Sequence, residues 1–240
     1  MKVSKVESAY QHRFLKNLVS NIGYYLLKYL IIGPFFKVWI PTETHGLENI
    51  PKQDGAVIVS NHQAFIDHLI LPIYSPRKIR FWAKAGWWGD GIKAQLQGLF
   101  FELMNQVPVY RVGGSSGEES INTAAECVKR GELFAIYPEG TRSPDGRIYK
   151  GRTGAVRVAI KAASPIIPSA IIGTGPLQKN RFFPKRGKVI LIIGREISTK
   201  NISINDKEKI KNLTDAVMDE ISKLSGLEYV NEYARKRGVE

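Results

Sequence analysis

Ala56-Val57-Ile58-Val59-Ser60 runs without a break into Asn61-His62-Gln63-Ala64-Phe65-Ile66-Asp67. A short apolar run with no polar alternation describes a strand covered on both faces. The polar turn that follows carries a histidine and an aspartate to the strand's carboxyl end. Further apolar, β-branched runs occur at Ile79–Trp82, Val107–Tyr110, Leu133–Tyr137, Ile166–Ile172 and Val189–Ile193. Between them lie helical stripes: Ile92, Leu96, Leu99, Phe100 and Leu103, then Ile121, Ala124, Ala125 and Val128. A longer stripe, Ile210, Leu213, Val217, Ile221 and Leu224, meets a stop at Gly226. The alternation predicts an α/β domain with a mostly parallel central sheet covered by helices. In such sheets ligands gather at the carboxyl ends of the strands, where His62 and Asp67 are expected.

The 240 residues suffice for one cored domain with an appendage. Against 22 Asp+Glu stand 35 Lys+Arg, a formal net charge of +13, which points to an anionic partner: nucleic acid, a phospholipid surface or a phosphorylated substrate. The single cysteine, Cys127, excludes a disulfide framework and a thiolate zinc cluster, and reads as a small core residue.

Asn17–Ile40 is strongly apolar but is interrupted by Lys28, Lys37 and Gly33-Pro34, so it offers no clean run of about 20 apolar residues for a membrane span. It also lies too far inside the chain, with no small-residue cleavage site after it, for a signal peptide. Gly33-Pro34 predicts a break or a bend, giving a bent pair of short helices in a membrane interface. Tyr24, Tyr25, Tyr29, Phe35, Phe36 and Trp39 would then meet the bilayer, with Lys16, Lys28 and Lys37 facing phosphates. An ordinary helix packed on the domain is the alternative. The expected division is residues 1–41 as this segment and 42–240 as the catalytic domain.

Four histidines are present, and His12, His45 and His68 are given structural readings. On a continuous helix, residues five apart lie about 140° around the axis, so His62 meets Asp67 only if a turn precedes the helix. Such a pair makes a general base: the carboxylate holds one ring N–H and the other nitrogen accepts a proton. The same pair also serves a purely structural histidine. A second polar turn, Tyr137-Pro138-Glu139-Gly140-Thr141-Arg142-Ser143, follows another buried strand, where Arg142 offers a planar fork for phosphate with hydroxyl help from Thr141 and Ser143.

Rival chemistries fare worse. Gly113-Gly114-Ser115-Ser116-Gly117 matches a nucleophile-elbow pattern, but no histidine follows His68 to complete the Ser–acid–His order, so it reads as a flexible connection. His62, Asp67 and His68 lack a further metal ligand. A basic nucleic-acid-binding protein has no zinc-finger or RRM signature to support it. Lys179-Asn180-Arg181-Phe182-Phe183-Pro184-Lys185-Arg186 reads as a solvated basic hairpin or as a patch against anionic lipid.

Asn61-His62-Gln63 with Asp67, and Pro138-Glu139-Gly140-Thr141-Arg142-Ser143, resemble blocks one and three of the glycerolipid acyltransferases, the 1-acylglycerol-3-phosphate acyltransferase family. Val107-Pro108-Val109-Tyr110-Arg111 resembles block two, and Ile166-Ile167-Pro168-Ser169-Ala170 block four, in order over about Gly46 to Ile193. The resemblance implies transfer of a fatty acyl group from acyl-CoA or acyl carrier protein to the free hydroxyl of lysophosphatidic acid, giving phosphatidic acid. His62 and Asp67 would deprotonate that hydroxyl with no acyl-enzyme; Lys84, Arg111, Glu139, Gly140, Thr141 and Arg142 would hold the phosphorylated glycerol. Glycerol 3-phosphate or another lysolipid is the alternative acceptor. No cofactor or metal is implied beyond the thioester co-substrate, the partners are lipid rather than nucleic acid, and the expected place is peripheral or monotopic on the cytoplasmic face of a membrane. Two departures stand out: Tyr137 where block three commonly opens with Phe, and Tyr110 before Arg111.

Overall fold

The computed structural model describes residues 21–84, 91, 92, 95, 98, 106–109, 114–178 and 183–235. The chain enters through a continuous helix, α1, made of residues 21–26, a π-helical turn Leu27–Ile31 and a regular part Ile32–Trp39. Strand β1, Thr42–His45, precedes β2, Ala56–Ser60, and helix α2, Asp67–Tyr74. Then come β3 (Ile79–Lys84), β4 (Gln106–Val109), α3 (Gly114–Lys129) and β5 (Leu133–Ile136). The rest is β6 (Ile148–Tyr149), α4 (Gly154–Ala162), β7 (Ile166–Ile172), α5 (Thr174–Gln178), β8 (Val189–Ile193), α6 (Lys207–Ser225) and β9 (Tyr229–Val230).

Seven strands form one sheet in the order β1-β8-β7-β2-β5-β3-β4, and β6 and β9 form a separate parallel pair. Every pairing in the large sheet is parallel except β7 with β8. β2 lies centrally, with Val57 opposite Phe134 of β5 and Ile166 of β7. The period of two in a strand sends alternate residues to opposite faces. Ala56 and Ile58 therefore join Phe81, Ala135, Ile167, Phe36, Ile40, Ile70 and Leu71 on one face. Val57 and Val59 join Phe134, Ile136 and the apolar stripes of α3, α4 and α6 on the other. Helix α6 ends as its sequence implied, with Gly226 at φ +67°, and at its start Asp206 accepts the Lys209 N–H at 3.0 Å.

Three expectations are corrected. The Gly33-Pro34 pair does not divide the N-terminal helix. Proline removes one N–H and crowds the preceding turn, and the wide turn at Leu27–Ile31 absorbs both effects without a break. Gly33 is required there, because a Cβ would lie 1.8 Å from Lys28 O. Second, Lys28 and Tyr24 do not face outward. Both are buried, and Lys28 Nζ donates to Ser75 O at 2.5 Å, its pKa pushed down to about 8 by burial. Third, the Gly/Ser connection is helical from Gly114 onward rather than a flexible link. The stripe Ile92–Leu103 lies mostly outside the described residues.

Candidate active site

Asp67 is the first helical residue of α2 and is fully buried. Its Oδ2 accepts three hydrogen bonds, from Gln63 N at 2.7 Å, Ala64 N at 2.8 Å and His62 Nδ1 at 2.8 Å. The two backbone donors force the turn that the five-residue spacing needed, and a negative group at the start of α2 is favoured by the helix dipole. Because a carboxylate can only accept, Nδ1 carries the proton and Nε2 keeps its lone pair.

The ring of His62 is held as firmly as its nitrogen. Tyr137, just past β5, lies flat against it with centroids 4.2 Å apart and planes 14° apart; His68 packs edge-on at 5.1 Å, and Phe81 continues the stack behind Tyr137. His68 is partly buried in this cluster, and burial, helped by the neighbouring His62, pushes its pKa down to about 3.

Backbone contacts fasten the two polar turns together. Glu139 Oε1 accepts His62 N at 3.1 Å, Glu139 Oε2 accepts Tyr149 N at 3.3 Å, and Ser143 N donates to His62 O at 2.7 Å. On the other flank the Asn61 amide both donates to Ile171 O at 2.9 Å and accepts from Ile171 N at 2.8 Å, as a peptide group would. Glu139 is buried, and burial raises its pKa to about 8 against the pull of its two amide donors. Both oxygens face backbone amides, so Glu139 fastens the turn that carries His62.

Gly140 sits at φ +74°, Thr141 is half-buried and Arg142 is exposed beside them. Lys84 closes β3, opposite Val109 of β4, at the same end of the sheet. Arg111 lies outside the described residues. An open groove of about 560 Å³ runs beside Gln63 and the Ser143–Arg147 loop, with Ile172, Pro176 and Leu227 on its far wall.

Residues 41–172 match the family model described as Acyltransferase. The chain belongs to the acyltransferase family. Among its relatives, the chloroplastic 1-acyl-sn-glycerol-3-phosphate acyltransferase BAT2 of Brassica napus is 33% identical over 69% of this chain and 44% of its own. The 1-acyl-sn-glycerol-3-phosphate acyltransferase of Bacillus subtilis is 29% identical over 76% of this chain and 87% of its own. The chain thus spans less than half the length of the plant relative. The crystal structure of PlsC, the 1-acyl-sn-glycerophosphate acyltransferase of Thermotoga maritima, superposes with a TM-score of 0.63 at 25% identity, covering 88% of this chain and 97% of that one.

Acyltransferases of this kind need no cofactor. Within the candidate site, sequence reasoning missed the roles of Asn61, Tyr137 and His68. Position after a buried strand was the available signal for Asn61 and Tyr137, because parallel neighbours bring their carboxyl ends together. No sequence signal separates His68 from a core histidine.

Proposed function

We propose that this acyltransferase moves a fatty acyl group from an acyl thioester, on coenzyme A or acyl carrier protein, to the free hydroxyl of 1-acyl-sn-glycerol-3-phosphate. The product is phosphatidic acid. The observation that carries this reading is the 2.8 Å bond from His62 Nδ1 to buried Asp67, which leaves Nε2 as the proton acceptor. Nε2 takes the hydroxyl proton as the oxygen attacks the thioester carbonyl. The tetrahedral intermediate then collapses, expelling the thiolate, and the imidazolium returns the proton to sulfur. Asp67 stabilises the transient positive charge, while the flat contact with Tyr137 keeps the ring from turning. General-base help of this kind supplies roughly 10²–10⁴-fold. A thioester is already activated, so positioning of the hydroxyl supplies much of the remainder.

Arg142, Lys84 and Arg111 are the side chains assigned to the acceptor's phosphate, and the net charge of +13 favours anionic substrates generally. The groove beside Gln63 is wide enough for part of a lipid or of the thioester arm. Residues 1–41 serve as a membrane-facing appendage to the catalytic unit 42–240. In support, Ile22, Leu30, Ile31, Phe35 and Val38 of α1 are exposed apolar side chains, and Phe183 continues their surface through its contact with Phe35. No helix among the described residues is long and apolar enough to cross a membrane. The proposed location is therefore the surface of a membrane, on its cytoplasmic face.

The test is thiol release from acyl-CoA and acyl carrier protein against a panel of lysophosphatidic acid, glycerol 3-phosphate and other lysolipids. Turnover greatest with lysophosphatidic acid is expected. Preference for another acceptor would move the assignment within the superfamily, and silence with every acceptor would refute it.

A further inference from the structure

Helix α2 begins without a cap of its own. Ile66 stands at its N-cap position and offers no side-chain hydrogen bond, while Asp67 points backward to hold Gln63 N, Ala64 N and His62 Nδ1. The first amides of a helix have no partner within it and must be met from outside. Asp67 N and His68 N donate to the carbonyls of Ala64 and Phe65, at 3.3 and 3.2 Å. Ile66 N instead reaches 112 residues along the chain, donating to Gln178 Oε1 at 2.9 Å. Ile66 is 1% exposed and Gln178 8%, so this bond is made away from water.

Gln178 is the last residue of α5, and the surroundings of that short helix hold it in place. Leu177 O accepts Lys185 N at 2.8 Å, and Gly187 leaves room for the Leu177 side chain, since a Cβ there would lie 2.3 Å from Leu177 Cδ2. At the other end of α5, a Cβ on Gly175 would stand 3.5 Å from Gln63 Cβ. The helix thus meets the catalytic turn twice, at Gln63 and at Ile66. A buried donor deprived of its acceptor competes for any other within reach. The Asp67 carboxylate is adjacent, and its Oδ1 is buried with no partner among the described residues. Drawing that carboxylate towards Ile66 N would loosen its hold on His62 Nδ1.

We propose that Gln178 is a positioning residue for the His62–Asp67 pair. Its part is indirect: by completing the start of α2 it leaves the Asp67 carboxylate to the imidazole, which keeps the proton on Nδ1 and the lone pair on Nε2. The inference rests on the reading of His62 as the general base of acyl transfer.

The experiment compares wild type with Gln178→Met, which keeps the side chain's length and removes its amide oxygen, and with Gln178→Glu, which keeps an acceptor at the same place. Thiol release is followed while lysophosphatidic acid and palmitoyl-CoA are varied independently. Gln178→Met is expected to lower kcat roughly tenfold to hundredfold with both KM values changed less than about twofold, because the reacting groups are misplaced after both substrates have bound. Gln178→Glu should recover most of kcat. Should Gln178→Met not fold, Gln178→Asn, which draws the acceptor back by one methylene, takes its place in the same comparison. Nitrogen NMR of the His62 ring, assigned against His62→Ala, reads the tautomer without substrate: one Nδ1–H form is expected in wild type and Gln178→Glu, and a mixture of both tautomers in Gln178→Met. Unchanged kcat in Gln178→Met, equal losses in Gln178→Met and Gln178→Glu, or an unaltered tautomer overturns the proposal. Wild type inactive with every acceptor, or His62→Ala as active as wild type, refutes the general-base reading instead, and the ring tautomer alone then decides whether Gln178 positions the pair.

Discussion

In the turn after β2, polar groups are packed inward and almost all are paired: three N–H donors on one Asp67 oxygen, two backbone amides on Glu139, and an Asn61 amide spliced between strands. In α1 the arrangement is reversed, with Leu30 and Val38 turned outward and the cation of Lys28 turned inward onto a single carbonyl. The turn uses hydrogen bonds to fix one imidazole and leave one nitrogen uncommitted. The helix leaves apolar area uncovered by the protein, and that area gains free energy only against another apolar phase. A catalytic role for the first region and a surface-binding role for the second therefore make separable predictions.

The largest effect is expected at His62. His62→Ala should lower kcat by about 10²–10⁴-fold while the far-ultraviolet spectrum and unfolding midpoint stay near those of wild type. Thiol-release kinetics provide the measurement, and near-normal turnover would remove the general base from the mechanism. Next comes the helix. Leu30→Glu with Val38→Glu removes two exposed apolar side chains, each worth about 1.5–3 kcal/mol when buried, so vesicle affinity should fall at least roughly 100-fold. Co-sedimentation with anionic vesicles reads this directly. Turnover of a short-chain, monomeric acceptor should be unaffected, and equal vesicle binding by the variant would unseat the membrane role of α1.

These two regions also differ in how far they can be read from a string of residues. The strand–turn–helix at Ala56–Tyr74 is legible because its instructions are local: an apolar run, then a carboxylate placed to accept the amides of the residues just before it. The same holds for β7 and β8, whose apolar runs match the strands residue for residue. β1 was not legible. Thr42-Glu43-Thr44-His45 has no apolar run and becomes a strand only because β8 offers a parallel edge. Helix α4 was missed because its β-branched residues resemble a strand, although Ala155, Val156, Val158 and Ala159 bury one face. In α1 the misreading was of polarity: neither the inward turn of Lys28 nor the π-helical turn that carries Gly33-Pro34 is local information, since both depend on packing against Ser75 and Ile73.

The buried acid and the buried base should leave opposite marks on stability. Glu139 has its pKa raised from the ordinary 4.5 to about 8. Between those values the unfolded chain releases a proton that the folded chain keeps, so its contribution to stability falls as pH rises, at most by about 1.4 kcal/mol per pH unit, and levels off above about 8. Glu139→Gln should flatten that decline in urea-unfolding midpoints measured from pH 5 to 8; an unaltered slope would show that the carboxyl is ionised in the fold. Lys28, lowered from 10.5 to about 8, runs the other way: its contribution rises between about pH 8 and 10.5, where the folded lysine sheds a proton that the unfolded one retains. Lys28→Met keeps the apolar stem, removes the buried cation and should stabilise the protein at pH 7 by about 1 kcal/mol. A lower melting temperature in that variant would mean that the bond to Ser75 O outweighs the cost of burying the charge.

The smallest effect separates the two things Tyr137 brings to the turn. Its ring lies against His62, whereas its hydroxyl is buried with no hydrogen-bond partner among the described residues. Tyr137→Phe preserves the stack and deletes only the orphaned group, so it should raise unfolding stability by about 1 kcal/mol or less and leave kcat within about twofold. Burial and the nearby Asp67 carboxylate hold the phenol well above its ordinary pKa, so the hydroxyl stays neutral and the pH–rate profile should not move. Tyr137→Leu, which fills space without a flat face, should instead lower kcat with little change in either KM. If Tyr137→Phe is as damaging as Tyr137→Leu, the hydroxyl and not the ring is what the active site uses, and its partner would be the second Asp67 oxygen, Oδ1, which is likewise buried and unpaired among the described residues.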